Sequence, residues 1–206
     1  MKIKFLLLLS FLSVSIIASA QIHKGAVMIG GYLSYSTHKS ETNDTKTHAF
    51  NISPGAGIAV RDNLILGVDV LYHNALSDYG QGSKNEMNGF GGGVFLRKYA
   101  VIAKKFYLFG QGRIGTTFFD EEQNSISNAY KVKTTNINLS AYPGVAYSIT
   151  PKLLLEAGFP DLLYAGYTSR KVTGTSNDKT TGFQVATSLS SGTPLSIGMR
   201  VLLNRR

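Results

Sequence analysis

From Lys24 onwards, apolar and polar residues alternate along the chain with a period of two. In the segment 64–72 the even positions are Leu, Leu, Val, Val and Tyr, whereas the odd positions include Gly67 and Asp69. Segments 106–118, 136–149 and 195–204 alternate in the same way. This period indicates β-strands with one apolar face, because successive side chains of a strand point to opposite faces. After residue 20 no run approaches the roughly 18 apolar residues of a transmembrane helix, so any membrane crossing must use strands.

The first twenty residues differ from the rest of the chain. Lys2 and Lys4 precede an apolar run from Phe5 to Ile17, and residues 18–20, Ala-Ser-Ala, have the small-residue pattern of a cleavage site. This order is typical of a secretory signal peptide. We therefore expect residues 1–20 to be a cleaved signal peptide and residues 21–206 to form one exported domain. An uncleaved membrane anchor is the alternative.

The connections between the predicted strands alternate in length. Short turns are expected at residues 61–63, 103–105 and 150–152, and long polar segments at residues 37–48, 73–88, 119–131 and 168–182. This alternation predicts eight strands, with four long loops at one end and three turns and both termini at the other. Outer-membrane barrels have this layout, with short periplasmic turns and longer extracellular loops. The predicted fold class is all-β: an eight-stranded antiparallel up-and-down transmembrane β-barrel.

Two segments interrupt the pattern. Pro160-Asp161 lies in the predicted seventh strand, and because proline cannot donate to a strand ladder we expect a bulge there. Residues 190–194, Ser-Ser-Gly-Thr-Pro, lie in the predicted eighth strand. The apolar parity before this segment resumes unchanged at Leu195, so we expect one long strand, with two short strands as the alternative.

Aromatic residues that the alternation places on the apolar, outward-facing side lie near the ends of the predicted strands. We call this side the outward parity and the opposite side the inward parity. Phe106 and Tyr147 fall at the short-turn end. A larger group falls at the long-loop end and comprises Tyr35, Phe50, Tyr72, Phe90, Phe118 and Phe183. Rings at interface depth form the girdles of a spanning barrel, whereas the core aromatics of a soluble sandwich would be scattered along its strands. We therefore expect the larger group to form an outer aromatic girdle.

With these features the chain resembles the outer-membrane β-barrel domain family common in Bacteroidota, and it is similar to the transmembrane domain of OmpA and to OmpX. The resemblance extends from Gln21 to the end, and includes the Gly-rich segment 88–93 and the closing strand 195–201. It implies a location in the bacterial outer membrane, with outer-membrane lipids, lipopolysaccharide and the barrel-assembly machinery as partners. The ending Asn204-Arg205-Arg206 departs from the terminal aromatic residue usual in such barrels.

The inward parity predicts what fills the barrel. Eight strands enclose a space only wide enough for side chains, and parity places six polar residues there: Asp69, Arg97, Gln111, Arg113, Glu156 and Arg200. Because a buried charge is costly without a partner, we expect Asp69 and Glu156 to pair with two of the three arginines. This predicts a static polar plug. The alternative is a gate, in which an exchange of Arg–Glu partners lets water or ions pass.

The formal net charge of +9 would suit a nucleic-acid-binding protein, so the position of the surplus matters. Two of these charges, Lys2 and Lys4, lie in the expected signal peptide, and the remaining surplus of +7 comes from eight basic residues near the predicted turns and termini, offset by Asp62. The eight are Lys24, Arg61, Lys98, Lys104, Lys105, Lys152, Arg205 and Arg206. In an outer-membrane barrel these residues form a periplasmic basic rim that faces anionic inner-leaflet phosphates. We therefore expect a membrane-orientation signal and no nucleic-acid partner.

Catalytic motifs have little support. Residues 110–115 match the dinucleotide pattern G-x-G-x-x-G, but strand alternation continues through them without the strand-to-helix change that the motif needs. His38-Lys39-Ser40 is similar to the His-x-Ser of lipid A deacylases, yet it lies in a hydrophilic segment. We expect no catalytic, cofactor or metal site, and a monomeric, non-enzymatic barrel with a structural role or a surface ligand at its four loops. The alternatives are a small gated channel and a lipid A-modifying enzyme.

Overall fold

The computed structural model describes residues 22–40, 45–79, 83–124, 129–159, 162–174, 178–187 and 196–203. Within these ranges no helix is long and apolar enough to cross a membrane. The described residues form ten β-strands: β1 (Val27–Ser40), β2 (Thr45–Arg61), β3 (Leu64–Asp78), β4 (Lys84–Ala103), β5 (Phe106–Asn124), β6 (Ala129–Thr150), β7 (Leu153–Gly158), β8 (Leu163–Thr173), β9 (Asp178–Thr187) and β10 (Ser196–Leu203).

These strands close into one antiparallel barrel. Strands β1 to β6 are neighbours in chain order, and each pairs with the next. Both β7 and β8 pair with β6, and they pair in turn with β10 and β9, respectively. Strand β10 then pairs with β1 and closes the sheet. The ten strands therefore occupy eight positions in the wall, which confirms the predicted fold class.

The seventh position of the wall changes register between β7 and β8. Gly144 of β6 lies opposite Gly158, whereas Ala141 lies opposite Leu163. The chain of the seventh position therefore contains extra residues between these two pairings. Pro160-Asp161, where the sequence predicts a bulge, and residues 190–194, which bear on the continuity of the eighth position, lie outside the described residues.

The wall has an apolar outer face and a mixed inner face. Leu33, Val68 and Val185 point outward and expose 65%, 58% and 70% of their surface, whereas Ile65 and Leu154 point inward and are fully buried. Large exposed apolar surfaces are unusual on soluble proteins. They are the expected exterior of a barrel whose strands cross lipid.

The four long polar segments are largely strand, so the prediction that they are loops is wrong for most of their length. Their polar side chains pair across the ladder, as Thr47 Oγ1 does with Ser77 Oγ at 3.1 Å and Asn74 Nδ2 with Asn88 Oδ1 at 2.8 Å. Cross-strand polar pairs stabilise a sheet without an apolar face, so the strands continue past the membrane. We call these four projections the polar hairpins. They are formed by β1–β2, β3–β4, β5–β6 and β8–β9.

The residues before β1 fold under the barrel at its short-turn end, which the alternation did not predict. The backbone N–H of Ile22 donates to Asn63 Oδ1 at 2.9 Å, and the N–H of Asn63 donates to the carbonyl of Ile22 at 2.8 Å. Asn63 has a φ of 60°, a left-handed conformation that asparagine tolerates better than most residues. The Ile22 side chain is fully buried and closes this end of the interior.

Packing inside the barrel depends on close approach at Gly144. A Cβ atom at this position would lie 2.3 Å from Cζ of Phe109 and 2.6 Å from the carbonyl oxygen of Ala157. In contrast, a Cβ atom at Gly110 would meet no atom within 4 Å. The Phe109 ring therefore occupies space that only a glycine at position 144 leaves free.

We predict that Gly144→Ala destabilises the folded barrel and that Gly110→Ala does not. Overpacking of a filled interior costs about 1–3 kcal/mol, so Gly144→Ala should lower the temperature at which the compact band of the unboiled barrel disappears on a denaturing gel. Gly110→Ala is the matched control, since it adds the same methyl group. Equal melting of the two variants would contradict the packing described above.

Candidate functional site

One carboxylate in the lumen balances two guanidinium groups. Arg97 on β4 and Glu156 on β7 are buried, and Nη1 of Arg97 lies 2.7 Å from Oε1 and 2.6 Å from Oε2 of Glu156. Nε of Arg200, on β10, donates to the same Oε2 at 3.2 Å. The structure therefore brings together three of the six residues that parity places inside. A fourth, Gln111, accepts a hydrogen bond from Nε of Arg97 at 2.7 Å.

Aromatic side chains hold this cluster in place. The Tyr99 hydroxyl donates to Oε1 of Glu156 at 2.5 Å, and Nη2 of Arg97 donates to the Tyr142 hydroxyl at 3.4 Å. The Arg97 guanidinium carbon lies 4.5 Å from the centre of the Phe109 ring, a cation–π distance. Tyr99 and Tyr142 were missed as site residues, although both have the inward parity. Their hydroxyls satisfy charges that would be costly to bury unpaired.

Below this cluster, towards the short turns, the buried side chains are mainly apolar. The residues that fill this part of the interior are fully buried in the structure: Ile22, Met28, Ile65, Leu154, Tyr107 and Leu202. Leu154 lies two positions closer to the 150–152 turn than Glu156 does. Ile65 is the second residue of β3, which begins directly after the 61–63 turn. We call the charged cluster together with this apolar layer the plug. In the described part of the chain, the plug fills the turn-side half of the lumen.

A second ion pair lies on the hairpin side of the plug. Nη2 of Arg113 is 2.6 Å from Oδ1 of Asp69, and Nε of Arg113 donates to Oδ2 at 2.8 Å. Nη1 of Arg113 also reaches Asn138 Oδ1 at 3.2 Å. Both side chains are slightly exposed, in contrast to the Arg97–Glu156 pair.

A cavity of about 440 Å³ lies on the hairpin side of the plug. The Arg200 guanidinium lines it and stacks on the Tyr32 ring, with its carbon 4.8 Å from the ring centre. Hydroxyl and amide side chains make up much of its wall, with these members: Ser34, Asn51, Ser53, Thr117, Asn138 and Ser140. The lumen thus divides into a polar cavity on the hairpin side and a filled, turn-side half.

The outward aromatic residues align across the ladder. Tyr72, Phe90 and Phe118 lie directly opposite one another on β3, β4 and β5. The other predicted girdle members, Tyr35 and Phe50, are direct partners, and Phe183 pairs with Tyr167, which was not predicted as a girdle residue. At the turn end, the rings of Phe106 and Tyr147 lie 4.9 Å apart. Two rows of rings therefore border the apolar outer wall.

The residues of the predicted basic rim lie at the short-turn end. Nζ of Lys98 donates to the carbonyl of Asp62 at 3.1 Å, and the backbone N–H of Lys24 donates to Asp62 Oδ1 at 2.9 Å. Nζ of Lys105 lies 5.9 Å from the Tyr147 ring centre. The remaining members at this end are Arg61, Lys104 and Lys152, whereas Arg205 and Arg206 lie outside the described residues.

On the polar hairpins, charged side chains pair with one another. Lys131 contacts Glu122 at 2.5 Å, and Lys133 contacts Asp120 at 3.8 Å. The hydrogen bond and negative charge of Glu122 raise the pKa of Lys131. His38 is exposed near the end of β1 and lies opposite Thr47 in the ladder. The described residues contain no group of three or more His, Asp or Glu side chains positioned to hold a metal ion.

A closed barrel with an apolar outer wall and two rows of rings is a transmembrane β-barrel. Residues 5–190 match the family described as the outer membrane protein beta-barrel domain, and the chain belongs to this family. The protein therefore lies in the bacterial outer membrane, which confirms the predicted location. No curated protein sequence matches the chain.

The chain is similar to solved structures of outer-membrane proteins. The outer membrane protein OprG from Pseudomonas aeruginosa is 15% identical with a TM-score of 0.52, and the match covers 88% of this chain and 97% of that chain. Neisserial surface protein A is 16% identical with a TM-score of 0.40, and the match covers 90% of this chain and 98% of that chain. At these identities the comparison with OprG supports the fold alone.

We predict that Glu156→Gln destabilises the barrel more than Asp69→Asn does. The first change leaves two buried guanidinium groups uncompensated, and breaking a buried ion pair costs about 3–5 kcal/mol. Asp69 balances one partly exposed arginine, so its loss should cost less. The free energy of unfolding in urea, measured in the same lipid for both variants, tests this order.

A double variant separates charge from shape. Arg200→Gln combined with Glu156→Gln removes one of the two uncompensated charges, so it should recover part of the lost stability. A double variant less stable than Glu156→Gln alone would show that Arg200 does not depend on Glu156 for its charge balance.

Proposed function

We propose that this protein is a non-conducting, non-enzymatic envelope barrel that anchors four polar hairpins at the cell surface. The observation that carries the proposal is the plug. A fully buried ion pair sits above an apolar layer in which Met28, Ile65 and Leu154 leave no exposed surface. Ions would have to cross this layer with few polar partners besides hydroxyl groups such as those of Tyr107 and Ser148, which is costly. The barrel wall is thus an anchor, and the polar hairpins are the part that can meet partners.

The hairpins are suited to presenting a surface because their shape is fixed by strand pairing. Ladder pairing continues to Ser40–Thr45 in the first hairpin and to Asp78–Lys84 in the second. Side-chain bonds add to it, such as Asn85 Nδ2 to Glu121 Oε1 at 2.8 Å between the second and third hairpins. Rigid scaffolds position binding residues well. We infer that a surface ligand would be recognised by a preformed polar sheet.

A gated channel is the main alternative function. Glu156 would be the residue that exchanges partners in such a gate, because two arginines share its carboxylate. An exchange of partners alone would leave the apolar layer below it in place. The gate therefore needs a second movement that displaces side chains such as Leu154 and Leu202. A lipid A-modifying role would need His38 as a general base with a carboxylate to orient it. The direct partner of His38 in the ladder is instead Thr47.

We predict that the purified barrel gives no stepwise conductance in planar lipid bilayers, and that Glu156→Gln leaves this unchanged. The apolar layer remains in this variant even if the ion pair is lost. As a positive control for the assay, Leu154→Ala combined with Leu202→Ala removes part of the layer and should introduce measurable leakage. Discrete openings in the wild-type barrel, altered by Glu156→Gln, would favour the channel.

We predict that the polar hairpins are exposed outside the cell. The chain contains no cysteine, so single cysteines can be introduced without background. A membrane-impermeant maleimide should label Lys46→Cys and Lys84→Cys in intact cells, because both positions lie near the tips of polar hairpins. It should label Lys104→Cys, in a short turn, only after the cells are broken. Labelling of Lys104→Cys in intact cells would reverse the proposed orientation.

A further inference from the structure

On the outer face of β6, β8 and β9, side chains change chemistry in ordered rows from the membrane towards the hairpin tips. Each row consists of three residues that are direct partners in the ladder. From the membrane outwards, the rows are Leu139–Ala165–Val185, Ile137–Tyr167–Phe183, Thr135–Ser169–Thr181 and Lys133–Lys171–Lys179. The face therefore passes from aliphatic to aromatic, then to hydroxyl, and ends in three lysines.

The outward direction of these rows follows from burial. On β6, Ile137 and Leu139 are exposed, whereas Val132, adjacent to Lys133 and of opposite parity, is buried. Direct partners in a ladder lie on the same face of the sheet, so Lys171 and Lys179 share the face of Lys133. All three lysines of the last row are exposed. We call Lys133, Lys171 and Lys179 the lysine row.

The lysine row concentrates like charges. Directly opposed like charges destabilise a strand pair, and here Lys171 lies opposite a lysine on each side. Among the described residues, an ion pair joins only one member of the row to a carboxylate: Lys133 to Asp120 at 3.8 Å. An external anion that bridges the row would relieve this repulsion.

The position of the row indicates which anion is near. The row lies four residues beyond Tyr167 and Phe183, roughly 13 Å along strands that rise about 3.3 Å per residue. Aromatic rings mark the boundary between hydrocarbon and headgroups, so the lysines lie at headgroup level or just above it. Neighbouring strands are about 4.8 Å apart, so the row spans about 10 Å and can contact two phosphates of one headgroup.

On the neighbouring strands β5, β4 and β3, the residues at the same level of the ladder are not cationic. Asp120, Asn88 and Asn74 continue the row onto β5, β4 and β3, and Asn74 and Asn88 hydrogen-bond each other at 2.8 Å. The cationic sector is thus confined to one side of the barrel. This argues for a localised site rather than a general basic collar.

We propose that the lysine row and the hydroxyl row below it bind the phosphorylated disaccharide headgroup of lipopolysaccharide in the outer leaflet. The lysines contact its phosphates, the hydroxyls of Thr135, Ser169 and Thr181 meet its sugar and amide groups, and the aromatic and aliphatic rows pack against its acyl chains. The proposal requires the outer-membrane location and does not depend on whether the lumen conducts.

The test compares two triple variants of the full barrel in zwitterionic detergent. One carries Lys133→Gln, Lys171→Gln and Lys179→Gln. The matched control carries Lys39→Gln, Lys46→Gln and Lys84→Gln, which removes the same charge from the first and second hairpins, also on the extracellular side. Retention of diphosphorylated lipid A is measured by native mass spectrometry at several lipid concentrations. Migration on unboiled gels verifies that both variants are folded.

We expect the lysine-row variant to weaken lipid A binding at least tenfold and the control to stay within about twofold of the wild-type barrel, since each lysine near an anionic surface contributes appreciably to attraction. Dephosphorylated lipid A should bind the wild-type barrel and the lysine-row variant equally. Equal weakening in both triple variants would overturn the site. Equal retention of phosphatidylglycerol and lipid A by the wild-type barrel would overturn the assignment to a diphosphorylated headgroup.

Discussion

Closure of the hydrogen-bond ladder is the constraint on which the rest of this structure depends. In hydrocarbon an unpaired backbone N–H or C=O costs several kcal/mol, so a sheet that crosses a membrane must have no free edge within it. Pairing of β10 with β1, from Val27–Leu203 to Tyr32–Gly198, joins the two ends of the sheet. Once the sheet closes with eight positions, one face of every strand must be apolar, and the other must fill a narrow interior. The alternation, the exposed leucines and valines, and the packed lumen all follow from this closure.

The narrow interior in turn explains the chemistry of the plug. Two arginines and one glutamate are buried together, and such groups are tolerated only when their hydrogen bonds are satisfied. Tyr99 and Tyr142 supply the additional partners. A buried network of this kind favours one register of the wall over its neighbours, because a slip of one residue would turn the charged side chains into lipid. The plug therefore helps to fix the register of the strands that enclose it.

Much of this architecture could be predicted from the sequence, because it depends on local periodicity. Parity assigned Leu66 and Val68 to the lipid side and Asp69 to the interior, and the alternation of short and long connections predicted eight strands. Features that depend on pairing between strands, such as the length of a strand, could not be predicted. The extension of β4 and β5 beyond the membrane depends on polar cross-strand partners such as Asn85 and Glu121, and nothing local distinguishes their strand from a loop.

The same limit applies to the surface sites. Lys133, Lys171 and Lys179 are far apart in sequence, and no spacing rule relates them across the interruption at residues 160–161. Only the observed register between β6, β8 and β9 brings them into one line. Tyr167 was overlooked for a similar reason, since its place in the girdle is evident from its partner Phe183.

The basic residues are arranged differently at the two ends of the barrel, and this difference distinguishes the turn end from the hairpin end. At the turn end, the ammonium group of Lys98 donates to the carbonyl of Asp62, and Lys24 is held near the same residue by its backbone N–H. The basic side chains there are distributed over separate tight turns. At the hairpin end, charges such as Lys131 and Glu122 pair along the extended strands, and three lysines meet in one row across β6, β8 and β9. Strand extension is what makes this possible, because only an ordered ladder can hold like charges side by side at a fixed height above the lipid. The polar hairpins are thus a continuation of the membrane wall into the headgroup layer and beyond it.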